Sequence, residues 1–371
     1  MANITIGDRT IGKGSPVYII AEIGSNHDGR LERAYALIEM AAAAGADAVK
    51  FQSFTAPGLV AGRIKNAAGR MVENPAYSFI EALSLPDDWH AKLKDSASSA
   101  GVDFISAPFD LERLELLDDL KVPAIKLASG DLTFEPLVRA AARTGRTLLV
   151  STGMATIEEI VRTVNAIREE GNEKIVIMHC VTSYPTKWED ENIRAVGELA
   201  KRLGLPVGLS DHALGLAAPL AAVALGASVV ERHFTTSRSL TGPDHSFAME
   251  PHEFRQMVEE IRILEKALGT GEKALCEEER RERLVGRRSI RAAKDLPSGT
   301  VITEDHLKFV RPGEGLSPFD YRLVLGRMLK KSLREDEALR LSDLKEASAP
   351  KKGGKAAARP AKPGKKTGLG K

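Results

Sequence analysis

The stretch TLLVSTGMATIEEIVRTVNAIREEGNEKIVIMHCV (residues 147–181) changes its hydrophobic period twice. Residues 147–153 and 174–181 are short, nearly continuous apolar runs, the pattern of strands covered on both faces of a parallel sheet. Between them Ile157, Ile160, Val161, Val164 and Ile167 recur at helical spacing, behind a Thr156-x-x-Glu159 capping box. The stretch therefore predicts strand, helix, strand.

The same alternation extends in both directions. Further strands are predicted at 17–24, 47–54, 103–109, 124–130, 206–212 and 229–235. Leu31, Ala34, Tyr35, Ile38, Ala41 and Ala42 form one helical face ending at Gly45, and residues 251–269 form a long amphipathic helix. Eight strand–helix units over about 270 residues fit a (β/α)8 TIM barrel. A doubly wound open sheet is the competing architecture. The first turn, EIGSNHDG, lacks the Gly-rich phosphate fingerprint usual there.

After Gly271 a charged segment (271–284) reads as a solvated helix or linker. Residues 285–346 carry short strands broken by Pro-Ser-Gly and Pro-Gly turns, a small, mostly β domain. Residues 347–371 hold seven lysines, one arginine and no acid, and are predicted to be disordered. That tail carries +8, leaving −6 on the first 346 residues of a chain whose net charge is +2. Basicity confined to a tail argues against a nucleic-acid-binding body. Two cysteines, no signal-like N-terminus and no long apolar run predict a soluble protein of a reducing cytoplasm, without membrane association.

In a (β/α)8 barrel the C-terminal strand ends build the active site. Here they deliver Glu22, Lys50, Gln52, Ser106, Lys126, Ser129, Ser151, Thr182, Ser210, His212, Glu231 and His233. A lone histidine after an apolar run is usually structural, but His212 and His233 end adjacent strands. Two neutral imidazoles there suit a weak, open divalent-metal site acting as a Lewis acid, or acid/base work. Lys50 and Lys126, with the hydroxyls of Ser129, Ser151 and Ser210, suit a phosphate or carboxylate. A Schiff-base lysine is the alternative. Glu22 and Asp131 remain for sugar hydroxyls or proton transfer.

The ordered motifs IAEIGSNHDG, GADAVKFQSF, IKLASGD, LLVSTGMAT, HCVTSYPT, GLSDHALG, ERHFTTSRSLTGPDH and RRSIRA…VRPGEGLSP resemble those of the sialic acid (nonulosonic acid) synthase family. The resemblance implies a TIM barrel followed by a small antifreeze-like (SAF) domain, in a domain-swapped homodimer. It implies condensation of phosphoenolpyruvate with N-acetylmannosamine or a related N-acyl aldose, with Mn2+ or Mg2+. By the same resemblance His212 and His233 bind the metal, and Lys50, Lys126, Ser129, Ser151, Thr182 and Ser210 bind phosphoenolpyruvate. Glu22, Gln52, Tyr184, Asp244 and Arg311 meet the sugar or the reacting centre, and Asp131 takes part in proton transfer. Pseudaminic, legionaminic and spore-coat sugar acid synthases, and synthases with a 6-phosphate acceptor, share these motifs. A non-catalytic carbohydrate-binding scaffold is the reading from another class. The chain departs from the family's commoner residues at Asp131 (Glu), Ala107 (Thr), Thr182 (Ser or Asn), Arg232 (Lys) and in GPDHSFAMEP.

Overall fold

A computed structural model describes residues 4–345 and divides the chain into two compact units after Gly271. In the first unit, eight parallel strands close into a barrel in sequence order. They are β1 (Tyr18–Glu22), β2 (Ala48–Ser53), β3 (Asp103–Pro108), β4 (Ala124–Leu127), β5 (Thr147–Ser151), β6 (Ile175–Cys180), β7 (Val207–Asp211) and β8 (Val229–His233). The predicted (β/α)8 barrel is the observed one. Each observed strand lies within or close to its expected run, usually ending a residue or two earlier.

Alternation along each strand builds two layers. Ile19, Ala21, Val49, Phe51, Phe104, Ile125, Leu148, Val150, Ile177, Leu209 and Val230 point outward against the helices. Tyr18, Ile20, Ala48, Ile105, Ala124, Leu149, Val176, Met178 and Val229 fill the interior. Gly208 belongs to the inner series because a Cβ there would lie 2.6 Å from both Met178 Sδ and the Val229 carbonyl. Continuing the inner series toward the strand ends replaces aliphatics by Glu22, Lys50, Lys126, Ser151, Ser210 and Glu231. The packed core thus sits low in the barrel and the polar groups at its mouth.

Two elements were not expected. A hairpin, Ile4–Ile6 with Arg9–Ile11, closes the barrel floor by adding Ile4, Ile6 and Ile11 to the inner layer. Between β2 and β3 the chain makes an excursion: a short helix (Ala56–Leu59), a hairpin (Arg63–Lys65 with Met71–Glu73) and a helix (Pro75–Leu83). No residue of that hairpin or of the second helix is buried. The expected capping box at Thr156 is present, at the start of helix Ile157–Glu169.

In the second unit Ser289–Ala292 pairs antiparallel with Leu307–Val310, and isolated bridges link Leu296 to Leu333 and Val301 to Met328. Ile290, Ala292, Leu296, Ile302, Val324, Leu329, Leu333, Leu339 and Leu344 form its own small core. The charged segment before it contains a helix, Glu277–Gly286, with no buried residue. The basic tail lies outside the described residues. Among the described residues no helix is long and apolar enough to cross a membrane.

Candidate active site

A cavity of about 250 Å³ opens at the C-terminal strand ends. Glu22, Lys50, Gln52, Lys126, Ser129, Ser151, Thr182, Tyr184, Ser210, His212 and His233 all line it, joined by Glu231 and Cys180. A larger cavity, about 770 Å³, lies at the opposite face among glycines and aliphatics such as Gly12, Gly197, Ala200 and Val223. It gathers none of the strand-end histidines, lysines or carboxylates, so size does not mark the reactive end.

One wall is electrostatic. Lys50 Nζ lies 2.7 Å from Glu22 Oε2 and 3.5 Å from Glu231 Oε1, and Lys126 Nζ lies 3.2 Å from Glu231. All four side chains are buried. Gln52 Nε2 donates to Glu22 Oε1 at 2.7 Å, and Ser210 Oγ donates to Glu231 Oε1 at 3.3 Å. Burial works against the Lys50 ammonium, but Glu22 and Glu231 outweigh it and raise its pKa above the usual lysine value. Burial likewise opposes the Glu231 charge; Lys126 and Lys50 reverse this and hold the carboxyl below its usual range. Glu231 was legible only as one more polar strand end; its place between two lysines gives it the central position.

The histidines adjoin this cluster, His212 two residues after Ser210 and His233 two residues after Glu231. Their ring centroids are 5.3 Å apart, and Tyr184 and Phe247 pack against both. His212 Nδ1 faces the Val181 carbonyl at 2.9 Å, which makes Nδ1 the donor and leaves the Nε2 lone pair free. Burial, and then His233, push the His212 pKa down to about 3. His233 Nδ1 is buried without a hydrogen-bond partner, 3.8 Å from Asp244 Oδ2. A neutral imidazole with a free lone pair beside an unpartnered ring nitrogen is a donor set that suits a divalent ion. Among the described residues no cluster of three or more such ligands exists. Water or substrate oxygens would have to complete any coordination shell.

Hydroxyls line the same cavity. Ser151 Oγ and Thr182 Oγ1 are buried without partners, and Ser129 Oγ accepts the Gly153 backbone N–H at 3.0 Å. Gly153 has to lack a side chain, since a Cβ would stand 2.1 Å from Thr182 Oγ1. Unpaired buried hydroxyls beside two ammonium groups form a seat for an anion.

Asp131 follows Ser129 in a single 3-10 turn. Its Oδ2 is buried without a partner, and burial raises the carboxyl to about 6. Asp244 is not among the lining residues but lies close to Gly24, where an added Cβ would lie 3.1 Å from Asp244 Oδ2 and 3.2 Å from Glu22 Oε1. Ser25 Oγ donates to Asp244 at 3.2 Å and Asn26 Nδ2 to the Phe234 carbonyl at 2.9 Å, stitching the loops after β1 and β8 together. Arg311 lies in the second unit, exposed, just past Leu307–Val310.

One expected rim residue points elsewhere. Ser106 is on the outer face of β3, where its hydroxyl bonds Ser53 at 2.6 Å; Ser53 in turn bonds His90 Nε2 at 2.7 Å. The inner series of β3 runs through Ile105 and Ala107, so parity turns Ser106 toward the helices.

The chain as a whole has relatives among known proteins. The NeuB family profile matches residues 37–273, and a SAF domain matches residues 287–345. The chain belongs to the NeuB family. It is 37% identical over 328 residues to an N,N'-diacetyllegionaminic acid synthase of Campylobacter jejuni, covering 87% of this chain and 98% of that one. It is 36% identical over 333 residues to a pseudaminic acid synthase of the same species, covering 89% and 97%. The crystal structure of an N-acetylneuraminic acid (sialic acid) synthetase from Leptospira borgpetersenii superposes with a TM-score of 0.69 at 33% identity, covering 76% of this chain and 94% of that one.

Proposed function

We propose that this NeuB-family chain condenses phosphoenolpyruvate with an N-acyl aldose, N-acetylmannosamine or a relative, giving a nine-carbon 2-keto sugar acid and phosphate. The observation that carries the reading is that one cavity gathers two buried lysines, bridged by Glu231, two histidines and unpartnered hydroxyls. Lys50 and Lys126 bind the phosphate and carboxylate of phosphoenolpyruvate, and Ser129, Ser151, Thr182 and Ser210 supply hydrogen bonds to them. Glu22, Gln52, Tyr184 and Asp244 orient the acceptor. A divalent ion, Mn2+ or Mg2+, held by His212 and His233 would polarise the acceptor aldehyde as a Lewis acid.

The chemistry forms a bond from C3 of phosphoenolpyruvate to the aldehyde carbon. The aldehyde oxygen gains a proton, water adds at C2, and the C2–O bond to phosphate breaks. Asp131, raised to about 6, holds or releases a proton near neutral pH, and the lysines stabilise negative charge as phosphate departs. A Schiff base on Lys50 is disfavoured because Glu22 and Glu231 raise its pKa and favour the protonated, non-nucleophilic form.

A 2,4-diacetamido-trideoxyhexose acceptor is the second reading. It is favoured by the similarity to legionaminic and pseudaminic acid synthases and by the apolar Phe247 face at the mouth. A 6-phosphate acceptor is tested beside it. We also place the protein in the cytoplasm as a domain-swapped homodimer, with Arg311 reaching the acceptor's N-acyl group in the partner's barrel. Exposed Ile64, Met71 and Phe79 on the excursion, and Phe319, which is 95% exposed, support a covering partner.

The deciding experiment measures phosphate release from phosphoenolpyruvate with each acceptor, with and without chelator. Chelator-sensitive release with one acceptor is expected, together with a dimer by light scattering. No release across the panel from folded, metal-loaded protein would favour the non-catalytic scaffold.

A further inference from the structure

His212 and His233 carry no shared side-chain partner among the hydrogen bonds described above. Val181 orients the first ring, and the Nδ1 of the second is unbonded. Tyr184 and Phe247 pack against both rings, and the backbones of two neighbouring strand ends carry them.

Behind the barrel wall those two ends are tied together. Asp211 and Arg232 stand opposite each other in the β7–β8 register, each one residue before a histidine. They form an ion pair in which the Arg232 guanidinium and the Asp211 carboxylate are both almost wholly buried. Asp211 Oδ2 accepts from Arg232 Nη1, and Oδ1 accepts the backbone N–H of Ala213 at 2.8 Å. One carboxylate thus holds the chain on both sides of His212 and also grips the residue preceding His233.

Burying two charges costs several kcal/mol per ion, and an aliphatic pair of similar volume commonly serves packing as well. What the ion pair adds is direction. Its hydrogen bonds fix one strand end against the other through a planar, always-charged guanidinium. The outer shell of a metal site acts in this way on its ligands.

We propose that Asp211 and Arg232 are positioning residues for the His212–His233 pair, setting the imidazole separation that a divalent cation requires. The proposal rests on the metal reading above. Titrating the full-length protein with Mn2+ and reading free ion by EPR measures affinity without turnover. Asp211→Asn is expected to weaken Mn2+ binding by about 10- to 100-fold, with metal-free affinity for phosphoenolpyruvate within about twofold of wild type, whereas Arg232→Lys keeps the cation opposite Asp211 and should retain most of the affinity.

Asp211→Asn strands a buried guanidinium and risks unfolding, so D211L/R232M, which removes both charges together, provides the second variant. The folded double variant is expected to show the same loss of Mn2+ affinity. Unchanged affinity in folded Asp211→Asn or D211L/R232M overturns the proposal. So does a parallel loss of phosphoenolpyruvate affinity, which marks general distortion of the barrel mouth. If wild type and H212A/H233A bind Mn2+ alike, the metal reading itself fails, and that result needs no Asp211 variant to recognise.

Discussion

Glu231 on β8 and Lys126 on β4 reach across the barrel to within 3.2 Å of each other, both buried. Lys50 has a second carboxylate in Glu22, whereas Glu231 is the ion-pair partner described for Lys126. Glu231→Gln therefore leaves a buried ammonium poorly compensated, at a cost of about 3–5 kcal/mol. Phosphate supplies the missing charge. Chemical denaturation should show the variant destabilised in buffer and recovering more with phosphate than wild type does. Equal phosphate stabilisation of both proteins would show that the lysines do not form the anion seat.

Ser151 and Thr182 present buried hydroxyls with no partner. A hydrogen bond to a charged group contributes about 1.5–3 kcal/mol, so Ser151→Ala and Thr182→Val should each raise the KM for phosphoenolpyruvate roughly tenfold or more. Stability should hold or rise, because each substitution removes an unsatisfied buried group. A KM change confined to the acceptor would move these hydroxyls out of the phosphoenolpyruvate seat.

The barrel was legible because its strands are covered on both faces and so appear as continuous apolar runs such as KIVIMHCV. Residue spacing also placed Lys50 with Gln52, and Glu231 with His233, on common faces. Which face points inward is a matter of parity, and a continuous apolar run does not declare it; Ser106 was misassigned for that reason. Phe247 and the Asp211–Arg232 pair were hidden because their roles arise between loops or strands rather than along one. The floor hairpin and the hairpin of the β2–β3 excursion are built from three-residue strands, too short to show a period, and the helix Pro75–Leu83 buries no residue that would mark a core face.

Asp131 offers a test by pH. Burial raises its carboxyl from an ordinary value near 3.9 to about 6, so the folded state keeps a proton that the unfolded state releases. Stability is therefore unaffected below pH 4, falls between about pH 4 and 6, and is flat above. The shift corresponds to about 3 kcal/mol, reduced to roughly 1–2 because the side chain is partly solvated. Asp131→Asn should be more stable than wild type by that amount at pH 8 and equal to it at pH 4, by urea denaturation. Its kcat should fall while Asp131→Glu retains part of it, since a neutral amide carries no proton. A variant as active as wild type would remove Asp131 from the proton path.

Gly24 tests whether the two substrates have separable seats. Its φ of 52° is in the left-handed region, where a side chain costs roughly 1–2 kcal/mol. A Cβ would also press on Asp244 Oδ2 at 3.1 Å, Glu22 Oε1 at 3.2 Å and Gln52 Nε2 at 3.3 Å. Those three groups are assigned to the acceptor, and none of the serines or Lys126 is among them. Gly24→Ala should therefore raise the acceptor KM by about tenfold, a loss near 1.4 kcal/mol, while the KM for phosphoenolpyruvate stays within about twofold. The backbone strain acts on both substrates alike and is read separately as a lower melting temperature. Equal increases in both KM values would mean that Glu22, through its contact with Lys50, transmits the clash to the anion seat, and the two seats would have to be treated as one.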